Sequence, residues 1–267
     1  MFALSLLAAL TTASGAAAPV DAYPDVARAY WVEVDGAPLW AGHADARLPP
    51  ASLTKLMTAL LADEALDAQA LVEVGAAAAA ETGTRAGLRR GERFRAGELV
   101  AAMLVRSAND ACHALADAVA GDEAAFVARM NARAAALALA DTHYANACGH
   151  DDAAQYSSAR DLARLSHAVL ARPALVAAAA QREARLTSLD GRRLRLRSTN
   201  ALLDGLPGAR GLKTGTTPGA GRCLVAVVER DGVQVLAVLL HAPDRWWDSV
   251  GLIGLAFDAP RQGKHAH

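Results

Sequence analysis

Lysine is nearly missing from this chain. Only Lys55, Lys213 and Lys264 are lysine, and the remaining 24 of the 27 basic side chains are arginine. Where a bare positive charge suffices, the sequence uses arginine. A lysine kept against that bias marks a place that needs a compact amine able to lose its proton, which a guanidinium cannot do. Lys264 falls in the polar C-terminal tail, so Lys55 and Lys213 are the two that need a reason.

Other scarcities bound the answer. There are three cysteines, Cys112, Cys148 and Cys223, so at least one is unpaired. Buried free thiols are the default expectation; a Cys112–Cys148 bridge is open after export, and spacing does not decide it. No CxxC or His/Cys ligand spacing occurs, which argues against a structural zinc site. Net charge is only −1, which removes any global pull toward nucleic acid or anionic membranes. Aromatics are 4% of the chain, and the apolar fraction of 53% rests on alanine. Ala-rich stretches with Leu and Arg favour helices. No linker, internal repeat or low-complexity segment breaks the 267 residues. Beyond the N-terminus no stretch is long and apolar enough to span a bilayer.

Residues 2–18 are uncharged and end in small residues, reading as a secretory signal with an Ala-x-Ala-like site at Ala16 to Ala18. No Lys or Arg precedes the apolar run, so only the α-amino group supplies the n-region charge. A transmembrane anchor is the rival reading, but the run is short and grades into Ser, Thr and Gly. Export is the expectation, to a periplasmic or cell-wall-facing location, soluble once the signal is cleaved. Residues 19–258 then form a single catalytic domain, with 259–267 a disordered tail.

The order of elements reads as strands, a helical block, strands, and a closing helix. A hairpin turns at Asp35-Gly36 and a second at Asp190-Gly191. Two long strands meet at Asp231-Gly232. Helices are expected from Ser52, on both sides of a break at Arg106 to Asn109, over 122–139, after a Ser158 cap, and from Pro173. Residues 62–80 are expected as helix or loop, and 200–211 as loop. The fold class is α+β: an antiparallel sheet flanked by helices, with a largely helical lobe inserted. Arginines 182, 185, 192, 193, 195 and 197 form a basic run; it reads as a solvated hairpin face, with contact to an anionic polymer the alternative.

Three places carry chemistry. Ser52 and Lys55, three apart on a helix, stand on one face and can share a proton, a serine nucleophile beside an amine base. An isolated serine there is most often only an N-cap. At Arg106-Ser107-Ala108-Asn109, Ser107 reads either as a helix cap or as a hydroxyl presented with the Asn109 carboxamide, able to relay a proton and hold a substrate amide. In GLKTGTT, Lys213 and Thr214 occupy a strand where Gly215 permits close approach of another backbone. A sheet edge there can add an extended peptide as a strand, and the lysine offers a cation for a carboxylate.

Ser-x-x-Lys, Ser-x-Asn and Lys-Thr-Gly in that order resemble the signature of penicillin-binding proteins and serine β-lactamases. The stretches PPASLTKLMTA, LVRSANDA, MNARAAALALADTHYANACG, YSSARDLARLSHAVL, NALLDG and GLKTGTTPGAGRCLVAVV narrow the resemblance. Running from about Tyr23 to Phe257, they are similar to low-molecular-mass D-alanyl-D-alanine carboxypeptidases of the β-lactamase/transpeptidase-like fold. The resemblance implies that Ser52 attacks the penultimate D-Ala carbonyl of a peptidoglycan stem pentapeptide. Lys55 takes the Ser52 proton, Ser107 relays it to the leaving amine, and Asn109 holds the substrate amide. Lys213 and Thr214 bind the terminal carboxylate, or that of a β-lactam acting as covalent inhibitor. The N–H groups of Ser52 and Thr216 make the oxyanion hole, where losing one donor costs about 2.7–4 kcal/mol. Arg245, early in the last helix, lies near the carboxylate by the same analogy, or forms a surface salt bridge. No cofactor or metal is implied, and a monomer is expected.

Class A β-lactamases share the motifs but carry a deacylating Glu; no Glu-x-x-Leu-Asn lies between 110 and 212, and the middle motif is Ser-Ala-Asn, so fast β-lactam turnover is not expected. Many relatives add a C-terminal β-domain and amphipathic anchor, and the sequence leaves no evident room for either. The alternative reading is therefore a D-alanyl-D-alanine endopeptidase cleaving cross-links. A catalytically dead peptidoglycan-binding protein is a rival of another class, and a metal site on His143, His150, Asp151 and Asp152 fits no ligand spacing.

Overall fold

The protein is described by a computed structural model covering residues 20–262, with side chains through residue 259. The candidate signal segment and Lys264 lie outside the described residues. The architecture is α+β, as expected. Two antiparallel strands, β1 (Ala29–Val34) and β2 (Ala37–Gly42), open the sheet. It is completed from the far end of the chain by β7 (Ala209–Thr217), β8 (Gly221–Arg230) and β9 (Val233–Ala242), in the order β2-β1-β9-β8-β7. Strand β7 is therefore a sheet edge.

Both faces of the central strands are covered, so their residues are apolar in both phases of the alternation. Leu224, Ala226 and Val228 of β8 point to the closing helix α9 (Trp247–Gln262), packing with Leu252, Ile253 and Phe257. Val225 and Val227, on the opposite phase, join Trp31 and Val238 in the core shared with the helical lobe. Each such Val or Leu contributes about 1.5–3 kcal/mol on burial. Helix α9 runs on to Gln262, four residues past the boundary expected at 258; Ala256 packs in the core beneath the sheet and Ala259 is still buried. Among the described residues no single helix is long and apolar enough to cross a membrane.

The lobe is built around α1 (Lys55–Ala65), whose residues from Lys55 to Ala62 are all buried. A helix buried on every side over its first two turns sits at the centre of its lobe. Around it pack α3 (Ala96–Val105), α4 (Asn109–Ala120), α5 (Glu123–Ala136), α6 (Ala159–Leu170) and α7 (Pro173–Ala179). Ser158 caps α6 as expected, its Oγ accepting the Asp161 N–H at 3.2 Å. The hairpin of β5 (Glu183–Thr187) and β6 (Arg193–Arg197) lies against α3.

Some expectations are corrected. The Ala-rich stretch after α1 holds a short strand, β3 (Leu71–Glu73), and a five-alanine helix, α2 (Ala76–Ala80); β3 pairs with β4 (Arg93–Arg95). The segment read as loop at 200–211 contains a one-turn helix, α8 (Leu202–Gly205), and the start of β7. Cys112 and Cys148 are joined in a disulfide with Cα atoms 6.0 Å apart, while Cys223 is a buried free thiol. The default of free thiols thus holds for one of the three.

Candidate active site

The three motifs meet where the lobe abuts the edge strand β7. Ser52 lies in a 3-10 turn, Ala51–Thr54, that follows Pro49-Pro50 and leads directly into α1. It is not an N-cap: Pro50 and Thr54 hold the cap positions and make no side-chain cap bond. Two glycines press on this turn. A Cβ at Gly149, which has φ +84°, would collide with the Ala51 carbonyl, and one at Gly215 would stand 3.1 Å from the Ser52 nitrogen. Only glycine lets the 147–150 loop and β7 flank the serine this closely. Ala51 itself is left-handed, φ +49°, a strain of about 1–2 kcal/mol that the packing holds.

Lys55 Nζ donates to Ser52 Oγ at 2.9 Å and also to the Cys148 carbonyl. The amine is fully buried, and burial pushes its pKa down to about 7, against a smaller opposing pull from Glu81. Lys55 is also the first residue of α1, where the helix dipole disfavours a cation. The amine that reaches Ser52 is therefore substantially neutral near pH 7. Its second acceptor is fixed covalently, because the Cys148–Cys112 bridge ties the loop to α4.

Ser107 stands at the break between α3 and α4 with φ +63°. It does not cap α4; Ala108 holds that position. The left-handed turn instead aims Oγ at Lys213 Nζ, which donates to it at 2.8 Å and to the Thr214 carbonyl at 2.8 Å. Lys213 is 1% exposed, and burial, then Lys55 and then Arg245, drive its pKa well below the ordinary lysine range. Asn109 Nδ2 donates to the Thr82 carbonyl at 2.7 Å, which orients the carboxamide. The Thr214 hydroxyl is 2.8 Å from that of Thr199.

Thr216 is exposed at the rim, with Gly215 buried beside it. Arg245 lies in the turn before α9, a correction to its expected place inside the helix. Among the described residues it makes no salt bridge: Nη1 donates to the Gly215 carbonyl at 2.6 Å and to Thr216 Oγ1 at 2.7 Å, and the guanidinium stacks 4.7 Å over Trp246. Ser52 and the eight other residues singled out in the sequence thus lie on the elements that meet here. Sequence reasoning missed the Cys148 carbonyl, Thr82, Thr199 and Gly149. Cys148 and Gly149 carried a signal in the turn-rich run ANACGHDD, but the residues they meet at the nucleophile turn, Lys55 and Ala51, lie 93 or more residues away.

The residues of the metal reading do not converge. His143 Nδ1 is 2.8 Å from the Ala154 carbonyl, Asp152 accepts the Ala154 N–H, Asp151 accepts from Thr217 and Gly219, and His150 faces Glu81. Among the described residues no group of three or more His, Cys, Asp or Glu is arranged to hold a metal.

Known proteins resemble this chain in sequence and fold. The family model for D-alanyl-D-alanine carboxypeptidases, peptidase family S11, matches residues 19–244. D-alanyl-D-alanine carboxypeptidase DacC of Escherichia coli is 36% identical over 249 residues, covering 86% of this chain and 60% of its own. DacF of Bacillus subtilis is 33% identical over 212 residues, covering 78% and 54%. The chain thus spans little more than half the length of these curated relatives. Among solved structures, the Streptomyces K15 DD-transpeptidase superposes with a TM-score of 0.81 at 26% identity, covering 87% of this chain and 97% of its own. A putative penicillin-binding protein homologue from Mycobacterium tuberculosis gives 0.84 at 28%, covering 91% and 95%.

Proposed function

The chain belongs to the D-alanyl-D-alanine carboxypeptidase family, and on that premise we propose that it removes the terminal D-Ala from peptidoglycan stem pentapeptides through an acyl-enzyme on Ser52. One observation carries the reading: two buried amines each hold one hydroxyl, Lys55 on Ser52 at 2.9 Å and Lys213 on Ser107 at 2.8 Å. Neutral Lys55 takes the Ser52 proton as Oγ attacks the penultimate D-Ala carbonyl. The oxyanion lies between the N–H groups of Ser52 and Thr216. As the C–N bond breaks, the proton returns through Lys55 and Ser107 to the amine of the departing D-Ala. Water then cleaves the Ser52 ester and releases the shortened stem.

Asn109 holds the substrate amide, while Lys213, Thr214 and Thr216 receive the terminal carboxylate. Arg245 supports that subsite from behind, through Gly215 and Thr216. A β-lactam carboxylate occupies the same place, so penicillins acylate Ser52. The substrate adds to the free edge of β7 as an extra strand. Peptidoglycan lies outside the cytoplasm, so the protein acts after export, and the Cys112–Cys148 bridge suits an oxidising compartment. The curated relatives named above are carboxypeptidases, and no feature of the site favours the endopeptidase alternative.

Labelled penicillin is expected to form a covalent adduct that Ser52→Ala abolishes. Incubation with a pentapeptide stem is expected to release free D-Ala, with a cross-linked dimer left intact. Cleavage of the dimer in preference to the pentapeptide would reassign the protein as an endopeptidase; no adduct and no release would leave a binding protein.

A further inference from the structure

One cluster of titratable side chains near the site has no part in this chemistry. Glu81 follows α2, and its carboxylate is 11% exposed. One oxygen is 2.7 Å from His113 Nδ1 and the other is 3.0 Å from His150 Nε2. His113 is on α4, one turn past Asn109, and its Nε2 is 3.5 Å from Asp117. A carboxylate near each ring nitrogen favours the imidazolium form of His113, and its pKa is raised chiefly by the Glu81 bond. His150 follows Gly149 and Cys148, the residues that flank Ser52 and accept from Lys55. Glu81 therefore joins two elements that carry parts of the active site.

The loop after Glu81 is placed by polar bonds rather than by apolar packing. The preceding α2 is all alanine with only Ala78 buried, and residues 82–85 are exposed. Apolar anchoring resumes at Leu88, 5% exposed. Between these points the backbone is tied to α4: Asp110 accepts the N–H groups of Ala86, Gly87 and Leu88 at 2.8–2.9 Å. Yet this loop delivers two carbonyls to Asn109, Thr82 O to its carboxamide at 2.7 Å and Thr84 O to its N–H at 2.8 Å.

We propose that Glu81, His113 and His150 form a latch of positioning residues that sets the Asn109 carboxamide, and the width of the cleft beside Ser52, for the substrate amide. The proposal rests on the reading of Ser52 as the acylated nucleophile. The charged groups facing the latch are Asp117 and Glu123 at His113, and Lys55 at Glu81. Because the folded His113 pKa is raised, its contribution is complete below the ordinary histidine range and is lost as pH rises through the raised value. Lys55 gains reactivity in the opposite direction. Activity is thus confined to a window, with an acid limb from Lys55 and an alkaline limb from the latch.

The test compares wild type, Glu81→Gln, Asn109→Ala and the double variant. It reads kcat and KM on a stem-peptide mimic ending in D-Ala-D-Ala, and acylation by labelled penicillin, across pH. Glu81→Gln is expected to lower kcat/KM about tenfold, mostly through KM, since a misplaced substrate amide loses alignment. It should also abolish the alkaline limb and move the acid limb to lower pH, because Glu81 raises the Lys55 pKa. The double variant should match Asn109→Ala within about twofold, because both act through one carboxamide. A Glu81→Gln profile within twofold of wild type, or losses that multiply in the double variant, would overturn the latch. If Glu81→Gln fails to fold, His150→Phe removes one arm and keeps the Glu81–His113 pair; a raised KM, again non-additive with Asn109→Ala, supports the latch, and an unchanged KM overturns it. Wild type that forms no penicillin adduct brings down the nucleophile reading instead.

Discussion

Lys55 and Arg195 carry the same formal charge in opposite surroundings. Lys55 is fully buried, and burial brings its amine down to about 7. The Arg195 side chain is 71% exposed on the β5–β6 hairpin, where it and Arg185 stand directly opposite each other and share the Glu183 carboxylate. On the hairpin a cation has only to remain charged and solvated, and arginine does that without a structural demand. In the site the cation has to be able to stop being one. The near-exclusive use of arginine elsewhere makes this division readable from composition, and burial supplies its physical cause.

The most damaging way to break the comparison is Lys55→Arg, which keeps the charge and removes the neutral form. Acylation by labelled penicillin should fall about 10²–10⁴-fold, the range of a lost general base, while circular dichroism reports an intact fold. Lys213→Ala leaves the carboxylate subsite without its amine and Ser107 without its donor; kcat/KM should drop by the equivalent of about 2–5 kcal/mol, with penicillin acylation reduced in parallel. A pH series on wild type follows from the Lys55 value of about 7. On the acid limb the reactive neutral amine falls as pH falls, so acylation at pH 5 should be about tenfold slower than at pH 6.

Smaller effects sharpen the contrast. The Cys112–Cys148 bridge spans 36 residues, and replacing both cysteines by serine should cost about 2–4 kcal/mol of stability in thermal unfolding. Acylation should slow several-fold as well, because the Cys148 carbonyl loses its tether. Arg195→Gln should change neither acylation nor the unfolding midpoint measurably, since an exposed ion pair is screened and costs side-chain entropy. A large loss there would mean that the hairpin arginines do more than stay solvated.

The long elements were legible because their signals are local. The break at 106–109, the Ser158 cap and the turns at 35–36, 190–191 and 231–232 follow from periodicity and turn chemistry within a few residues. Strands β3 and β4 have three residues each, too short to establish a period, and the alanines of α2 are equally at home in a longer helix. Within the site, the motif residues were found by type and order. What escaped depends on tertiary approach, as does the Cys112–Cys148 bridge that spacing left open: the carbonyls of Cys148 and Thr82, and the Glu81 latch, whose histidines are 32 and 69 residues away. His150 was visible only as one of a set with no ligand spacing, since its partner Glu81 sits in an alanine-rich run that looks featureless.

The presence of only three lysines gives the central claim a direct test. With lysine labelled at Cε, nuclear magnetic resonance should resolve each amine, and Lys55→Arg assigns the resonance of interest. The account predicts that this resonance titrates near pH 7, with the same midpoint as the rate of penicillin acylation. A midpoint near the ordinary lysine value of about 10.4 would contradict the account, because the amine beside Ser52 would then be charged at the pH where the site must act.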